Sequence, residues 1–181
     1  MKLWLVRHAQ PLIAAGICYG ATDMAADVTA TQQAAQALAL ALPPSLRLVS
    51  SPLQRCLQLT QALCVLRPDL TNTQDARLAE MNFGCWEGQR WDSIPKTDID
   101  RWTADFGRHR FGGRMSVHEF MAGVTPAWDE ARQAGQEQVW ITHAGVIRAV
   151  TLLSQGVRQV DQAAQWPQQA PAFGCWHVLP V

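Results

Sequence analysis

Residues 3–8 read LWLVRH, and the fold turns on what that run becomes. Leu3-Trp4-Leu5-Val6 is too short for a helix and too apolar for a loop, so it reads as a strand buried on both faces. It then stops on Arg7 and His8, two side chains suited to meeting an anion at a strand mouth. The loop that follows carries Pro11, Gly16 and Gly20 as turn signals. Beyond it, Thr29 and Gln32 fit a capping box opening an Ala/Leu/Gln-rich helix that Pro43-Pro44 stops.

The same unit recurs twice. LRLVS (46–50) alternates as a strand and runs into SPLQ, where Ser51 suits a helix cap, Pro52 the first helical position and Gln54 the closing side of a capping box. Leu53, Cys56, Leu57, Thr60, Leu63 and Cys64 follow at helical spacing until Pro68. QVWITH (138–143) is a third strand, turning through Ala144-Gly145 into a helix with Val146, Ile147, Val150 and Leu153 inward. AFGCWHVLP reads as a terminal strand. Strands alternating with helices predict an α/β three-layer sandwich, a mostly parallel central sheet flanked by helices.

The middle of the chain is less regular. RLAEMNFGCWEGQRW is a Gly- and Trp-bearing loop, and Ile99, Trp102 and Phe106 suggest a short helix ending at Gly107. Ser116 and Glu119 form a capping box for a longer helix that Pro126 should kink or break. One domain is expected over 1–181, with a small helical cap insertion over roughly 88–135.

Composition narrows the function. Net charge is +0 and charged residues are 17% of 181, which leaves no basic stripe for nucleic acid and no polybasic patch for a membrane. No apolar stretch approaches the ~20 residues of a membrane span. Arg7 and His8 interrupt the first run too early for a signal peptide, so a cytoplasmic location is expected. The five cysteines (Cys18, Cys56, Cys64, Cys85, Cys175) are odd in number and contain no C-x-x-C pair, which fits reduced thiols rather than a disulfide framework or a zinc site.

In open α/β sheets the ligand lies beyond the carboxyl ends of the strands. The first strand delivers Arg7 and His8 there, the second leads to Arg55, and the third delivers His143. Each alone has a bland reading; Arg108-His109, after no strand, shows that the dipeptide also arises by chance. Together they make a set of donors for phosphate oxygens. Arg55 is the odd member, because a cation in the first helical turn opposes the macrodipole unless an anion sits at that end.

LVRHAQP, SSPLQRC, RLAEMNFGCWEG and THAGVIR, in this order from residue 3 to residue 148, resemble the histidine phosphatase (phosphoglycerate mutase-like) superfamily. ICYGATDM and EMNFGCWEG are most similar to its α-ribazole phosphatase branch, which removes the 5′-phosphate from the lower-ligand nucleoside precursor of cobalamin. The resemblance implies that His8 is the nucleophile and becomes phosphohistidine, and that Arg7, Arg55 and His143 clamp the phosphoryl group. It further implies that Glu80 protonates the leaving alkoxide and later activates water, and that no metal or other cofactor is needed. Glu80 and Glu87 share one loop, and residue type alone does not choose between them; the family pattern selects Glu80. Gln10 and Ala144 fall in the phosphate motifs, while Tyr19 and Asp23 suit either leaving-group contacts or a turn. Trp86, Trp91 and Trp102 suit core or cap packing, or stacking on a flat leaving group.

The sequence departs from the family at FGGRMSVHEF, where relatives of this branch carry Pro-Gly-Gly-Glu-Ser; Phe111 replaces the proline and the acid is missing. The expected partner is a small-molecule phosphomonoester, with no nucleic acid or membrane and with the oligomeric state open. A phosphoglycerate-mutase-type transferase, a protein-phosphohistidine phosphatase and a non-catalytic phospholigand-binding protein are the alternatives.

Overall fold

A computed structural model describes residues 2–180. Strands β1 (Lys2–Arg7), β2 (Arg47–Ser50), β3 (Thr71–Gln74), β4 (Gln138–Thr142) and β5 (Trp176–Pro180) form one sheet in the order β3-β2-β4-β1-β5. The pairs β1–β4, β4–β2 and β2–β3 are parallel, and β5 runs antiparallel to β1. Helices α1 (Val28–Ala41), α2 (Gln54–Leu66), α3 (Lys96–Ala104), α4 (Val117–Ala134) and α5 (Ala144–Ser154) complete the main elements.

Strand alternation sorts the core onto two faces. Leu3, Leu5, Val49 and Trp140 pack against α4 and α5 through Met121, Val124, Trp128, Val146 and Val150. Val6, Leu48, Val139 and Ile141 pack on the other face against Ala35 and Leu38 of α1 and Cys56, Leu59 and Leu63 of α2. Burial on both faces is why β1 and β4 are continuous apolar runs. All five cysteines are free.

Four details differ from the sequence reading. Helix α1 starts at Val28 because Asp27, not Thr29, caps it, its Oδ1 accepting from Ala30 N at 2.7 Å. Helix α2 starts at Gln54 with no side-chain cap from its own flank; Asp23, far along the chain, accepts from Gln54 N at 2.6 Å instead. Strand β3 is an edge strand of four exposed residues, TNTQ, with no apolar face to betray it. Pro126 lies inside α4 without ending it. Seven buried positions on that helix, Val117 to Ala131, outweigh the roughly 3 kcal/mol that an interior proline costs.

The burial of α4 in the sheet core also shrinks the expected cap. What stands off the sheet is the stretch from about Gly84 to Met115, organised on fully buried Phe111. Trp102 stacks on Phe111 at 4.3 Å and Trp91 at 6.0 Å, so the residue that replaces the family's proline is the centre of an aromatic cluster. Gly112 has φ +72°, and a Cβ there would lie 1.8 Å from the carbonyl oxygen of Phe83. The glycine therefore lets the two loops close on each other. Ser116 and Glu119 form the expected capping box of α4.

Candidate active site

Alternation puts Arg7 on the α4/α5 side of β1 and His8 on the α1/α2 side. Parallel pairing continues one residue past the strand, with His8 N donating to Thr142 O at 3.0 Å. That bond brings His143 beside His8, their ring centroids 5.1 Å apart. Arg55, the second residue of α2 and fully buried, reaches the same point: its Nε donates to His8 Nε2 at 3.3 Å. Its two terminal nitrogens donate to Gly20 O at 2.6 Å and Thr22 O at 2.8 Å, tying the 20–22 loop to the helix.

His8 Nδ1 donates to Ala9 O at 2.7 Å, which fixes the tautomer and leaves the lone pair on Nε2. Burial, then the charge of Arg55, then that of Arg7, push the imidazole down to about 3, against the opposing pull of the Ala9 carbonyl. His143 is held well below the ordinary histidine range by burial first, then by Arg55, His8 and Arg7. Two neutral imidazoles stand among guanidiniums, which is the state a nitrogen nucleophile needs.

This arrangement makes stability depend on pH. In the unfolded chain each imidazole takes a proton near pH 6.5, whereas in the folded chain both resist it. A depressed histidine stabilises the fold fully above about pH 6.5, and that contribution is lost as pH falls towards the folded value. Each histidine adds up to about 1.4 kcal/mol per pH unit within that window. The melting temperature should therefore fall steadily from pH 6.5 to 4.5, before most carboxylates titrate, and His8→Asn should make the decline shallower. A melting temperature flat over that range in the wild type would overturn this account.

Glu80 faces the cluster from the loop after β3. Its Oε2 accepts from Gly145 N at 3.0 Å and its Oε1 from Met81 N at 3.1 Å. A Cβ at Gly145 would lie 2.1 Å from Glu80 Oε1, so the glycine is what lets the carboxylate reach the start of α5. Arg7 is braced by the far end of the chain: Nη1 donates to Pro171 O at 3.0 Å, and its Cζ lies 3.8 Å over the Phe173 ring. Arg7 Nε and His143 Nδ1 are both buried without a protein partner. A guanidinium N–H and an imidazole nitrogen left over on two sides of one cradle suit an oxyanion.

The remaining sequence candidates separate. Tyr19 joins the cluster, its ring centroid 5.6 Å from the Arg55 guanidinium carbon. Burial pushes its phenol up, the two arginines opposing. Ala144 opens α5 and is buried. Gln10 points its side chain to solvent while its backbone carbonyl accepts from Asp27 N. Asp23 is occupied as the cap of α2. Glu87 accepts from Ala21 N, Thr22 N, the Thr22 hydroxyl and Phe83 N. Burial works against its charge, but these donors outweigh it and hold the carboxyl below its ordinary value, so Glu87 staples loops together.

Sequence reasoning passes over three contributors. Ser51, which reads as a helix cap, instead bonds His143 Nε2 at 2.8 Å. Pro171 and Phe173 lie in a stretch with no motif.

Beside Glu80, Gly145 and Arg148 opens a cavity of about 270 Å³, walled by Phe83, Trp91, Trp102, Phe106, Phe120 and Trp166. Trp102 Nε1 and Arg148 Nε are buried donors without protein partners among these linings. The site thus joins an anion cradle to an aromatic chamber, with a carboxylate at the junction.

The sequence profile of the histidine phosphatase superfamily (branch 1) matches residues 3–172. The chain belongs to this superfamily. It is accordingly a histidine-nucleophile phosphatase, a hydrolase in the fold the strand–helix alternation predicts. Among solved structures it is similar to the protein TTHB049 from Thermus thermophilus, with 30% identity, a TM-score of 0.67, and coverage of 86% of this chain and 85% of that one. The mycobacterial glucosyl-3-phosphoglycerate phosphatase with VO3 shares its fold at TM-score 0.80 and 23% identity, covering 99% and 90% of the two chains. An Escherichia coli K-12 protein described as a candidate alpha-ribazole-5'-P phosphatase does so at TM-score 0.76 and 20% identity, covering 98% and 89%. No curated protein matches in a sequence comparison. Among the described residues of this histidine phosphatase, no helix is long and apolar enough to cross a membrane.

Proposed function

We propose that this histidine phosphatase hydrolyses a small-molecule phosphomonoester with a flat aromatic leaving group, and that α-ribazole 5′-phosphate is its favoured substrate. The observation that carries the reading is the aromatic chamber beside Glu80. A flat heterocycle would stack on its walls, and the free donors of Trp102 and Arg148 would meet ring nitrogens or ribose oxygens.

In this reading His8 Nε2 attacks phosphorus while the ester P–O bond breaks, and Glu80 gives its proton to the departing alkoxide. Arg7, Arg55 and His143 hold the non-bridging oxygens, whose charge is spread in a metaphosphate-like transition state. Glu80 then takes a proton from water, the resulting hydroxide displaces the N–P bond, and phosphate leaves with the starting enzyme restored. Covalent capture divides one hard displacement into two.

Steady-state kinetics on α-ribazole 5′-phosphate, 3-phosphoglycerate, glucosyl-3-phosphoglycerate and sugar phosphates test the substrate. The value of kcat/KM for α-ribazole 5′-phosphate should exceed the others by about 100-fold, the scale on which buried contacts discriminate leaving groups. Equal or better turnover of a phosphoglycerate would overturn the aromatic assignment.

A further inference from the structure

We propose that Ser51 is a positioning residue: its hydroxyl donates to His143 Nε2 and so keeps the proton of that imidazole on Nδ1, the nitrogen left to donate to a phosphoryl oxygen. Ser51 and His143 are both fully buried, with Ser51 Oγ 2.8 Å from Nε2. The same Oγ accepts from Leu53 N at 3.3 Å. A hydroxyl has one proton to give and two lone pairs.

The hydrogen-bond count decides the tautomer. Were the proton on Nε2, Ser51 Oγ would accept from both Nε2 and Leu53, and its own proton would be left facing only the Cys56 thiol, a weak acceptor. Nδ1 would then turn a lone pair towards an incoming oxyanion. With the proton on Nδ1, Ser51 donates to Nε2, Leu53 N–H is accepted, and the single orphan is a donor. Cys56 Sγ, 3.5 Å from Nε2, has its own acceptor in Thr142 O at 3.6 Å and need not supply that proton.

His8 is set the opposite way. The Ala9 carbonyl accepts from Nδ1 and leaves Nε2 its lone pair, which Arg55 Nε meets at 3.3 Å until a phosphoryl group arrives. Two rings 5.1 Å apart thus present opposite faces of the same chemistry, one offering a lone pair and the other a proton to the same phosphoryl group. A backbone carbonyl, which can only accept, sets the first. A hydroxyl that donates sets the second.

Nitrogen-15 histidine NMR on the substrate-free enzyme at neutral pH reads each tautomer directly. His143 should be protonated on Nδ1 in the wild type and should shift towards Nε2 in Ser51→Ala. With para-nitrophenyl phosphate, kcat/KM should fall about 100-fold in that variant, the scale for losing one transition-state donor. Ser51→Thr, which keeps the hydroxyl, should restore the Nδ1 tautomer and most of the activity. An Nε2-protonated or doubly protonated His143 in the wild type overturns the proposal, and that reading needs no variant to fold. So does a Ser51→Ala enzyme that loses activity with its His143 tautomer unchanged. The aryl substrate and the tautomer signal are independent of the α-ribazole preference, so either idea can fail alone.

Discussion

His8→Ala is expected to lower kcat/KM on an aryl phosphate by at least about 10⁴-fold, the scale seen when an enzyme loses its nucleophile. The reason is local. His8 Nε2 is the imidazole nitrogen whose lone pair is held towards the cradle, fixed by the Ala9 carbonyl on one side and Arg55 on the other. His143 cannot substitute, because its ring packs against Ser51 and Cys56. Acid quench of the wild type during turnover should trap an acid-labile phosphoenzyme that the variant lacks, and a chelator should leave wild-type turnover unchanged. Circular dichroism distinguishes lost chemistry from lost fold. A folded variant within tenfold of wild type would place the nucleophile elsewhere.

Arg55→Ala should damage fold and catalysis together. The guanidinium is fully buried and donates to Gly20 O and Thr22 O. Truncation strands two carbonyls, at about 1–3 kcal/mol each, so the urea midpoint should drop by an amount equivalent to about 2–6 kcal/mol. Arg55 is also the strongest charge holding both imidazoles neutral, after burial itself. Its loss should raise the acid limb of the pH–rate profile as well as lower kcat by about 10³-fold. Arg55→Lys keeps the charge but not the fork, so it should recover part of the stability while staying about 100-fold down in activity. Full activity in the lysine variant would mean that only charge matters there.

Much of this is legible in the chain because strand ends in a parallel sheet are few. Once LWLV, LRLVS and QVWIT are strands, Arg7, His8 and His143 have nowhere to go but one edge, and Arg55 follows one turn later. Arg55 stands out in the sequence for a cause that is only partly right. Asp23 already supplies negative charge at the start of α2, so the helix does not depend on a bound anion to tolerate its arginine. Ser51 misleads because Ser-Pro before a helical run satisfies the local rules for a cap, while its actual partner lies 92 residues away. Strand β3 escapes because TNTQ, exposed throughout, has no apolar period to detect. Phe173 escapes because AFGCWHVLP reads as a strand, which begins only at Trp176, and an aromatic there carries no sign of the cation above it. Local patterns reveal elements that bury themselves, and they are silent where a contact is made only by distant segments.

The seat of β1 also has a cost in biosynthesis. Its hydrogen-bonding edges are filled by β4 and β5, and Arg7 is steadied by Pro171 and Phe173. The greasy ribbon therefore leaves the ribosome well before its neighbours in the sheet, β4 and β5, are translated. Until they arrive, the nascent polypeptide carries an unsatisfied template for misassociation, and long-range closure of this kind is intrinsically slow. Phosphate-handling competence thus switches on only once β4 and the Pro171–Phe173 stretch have been translated and have met β1.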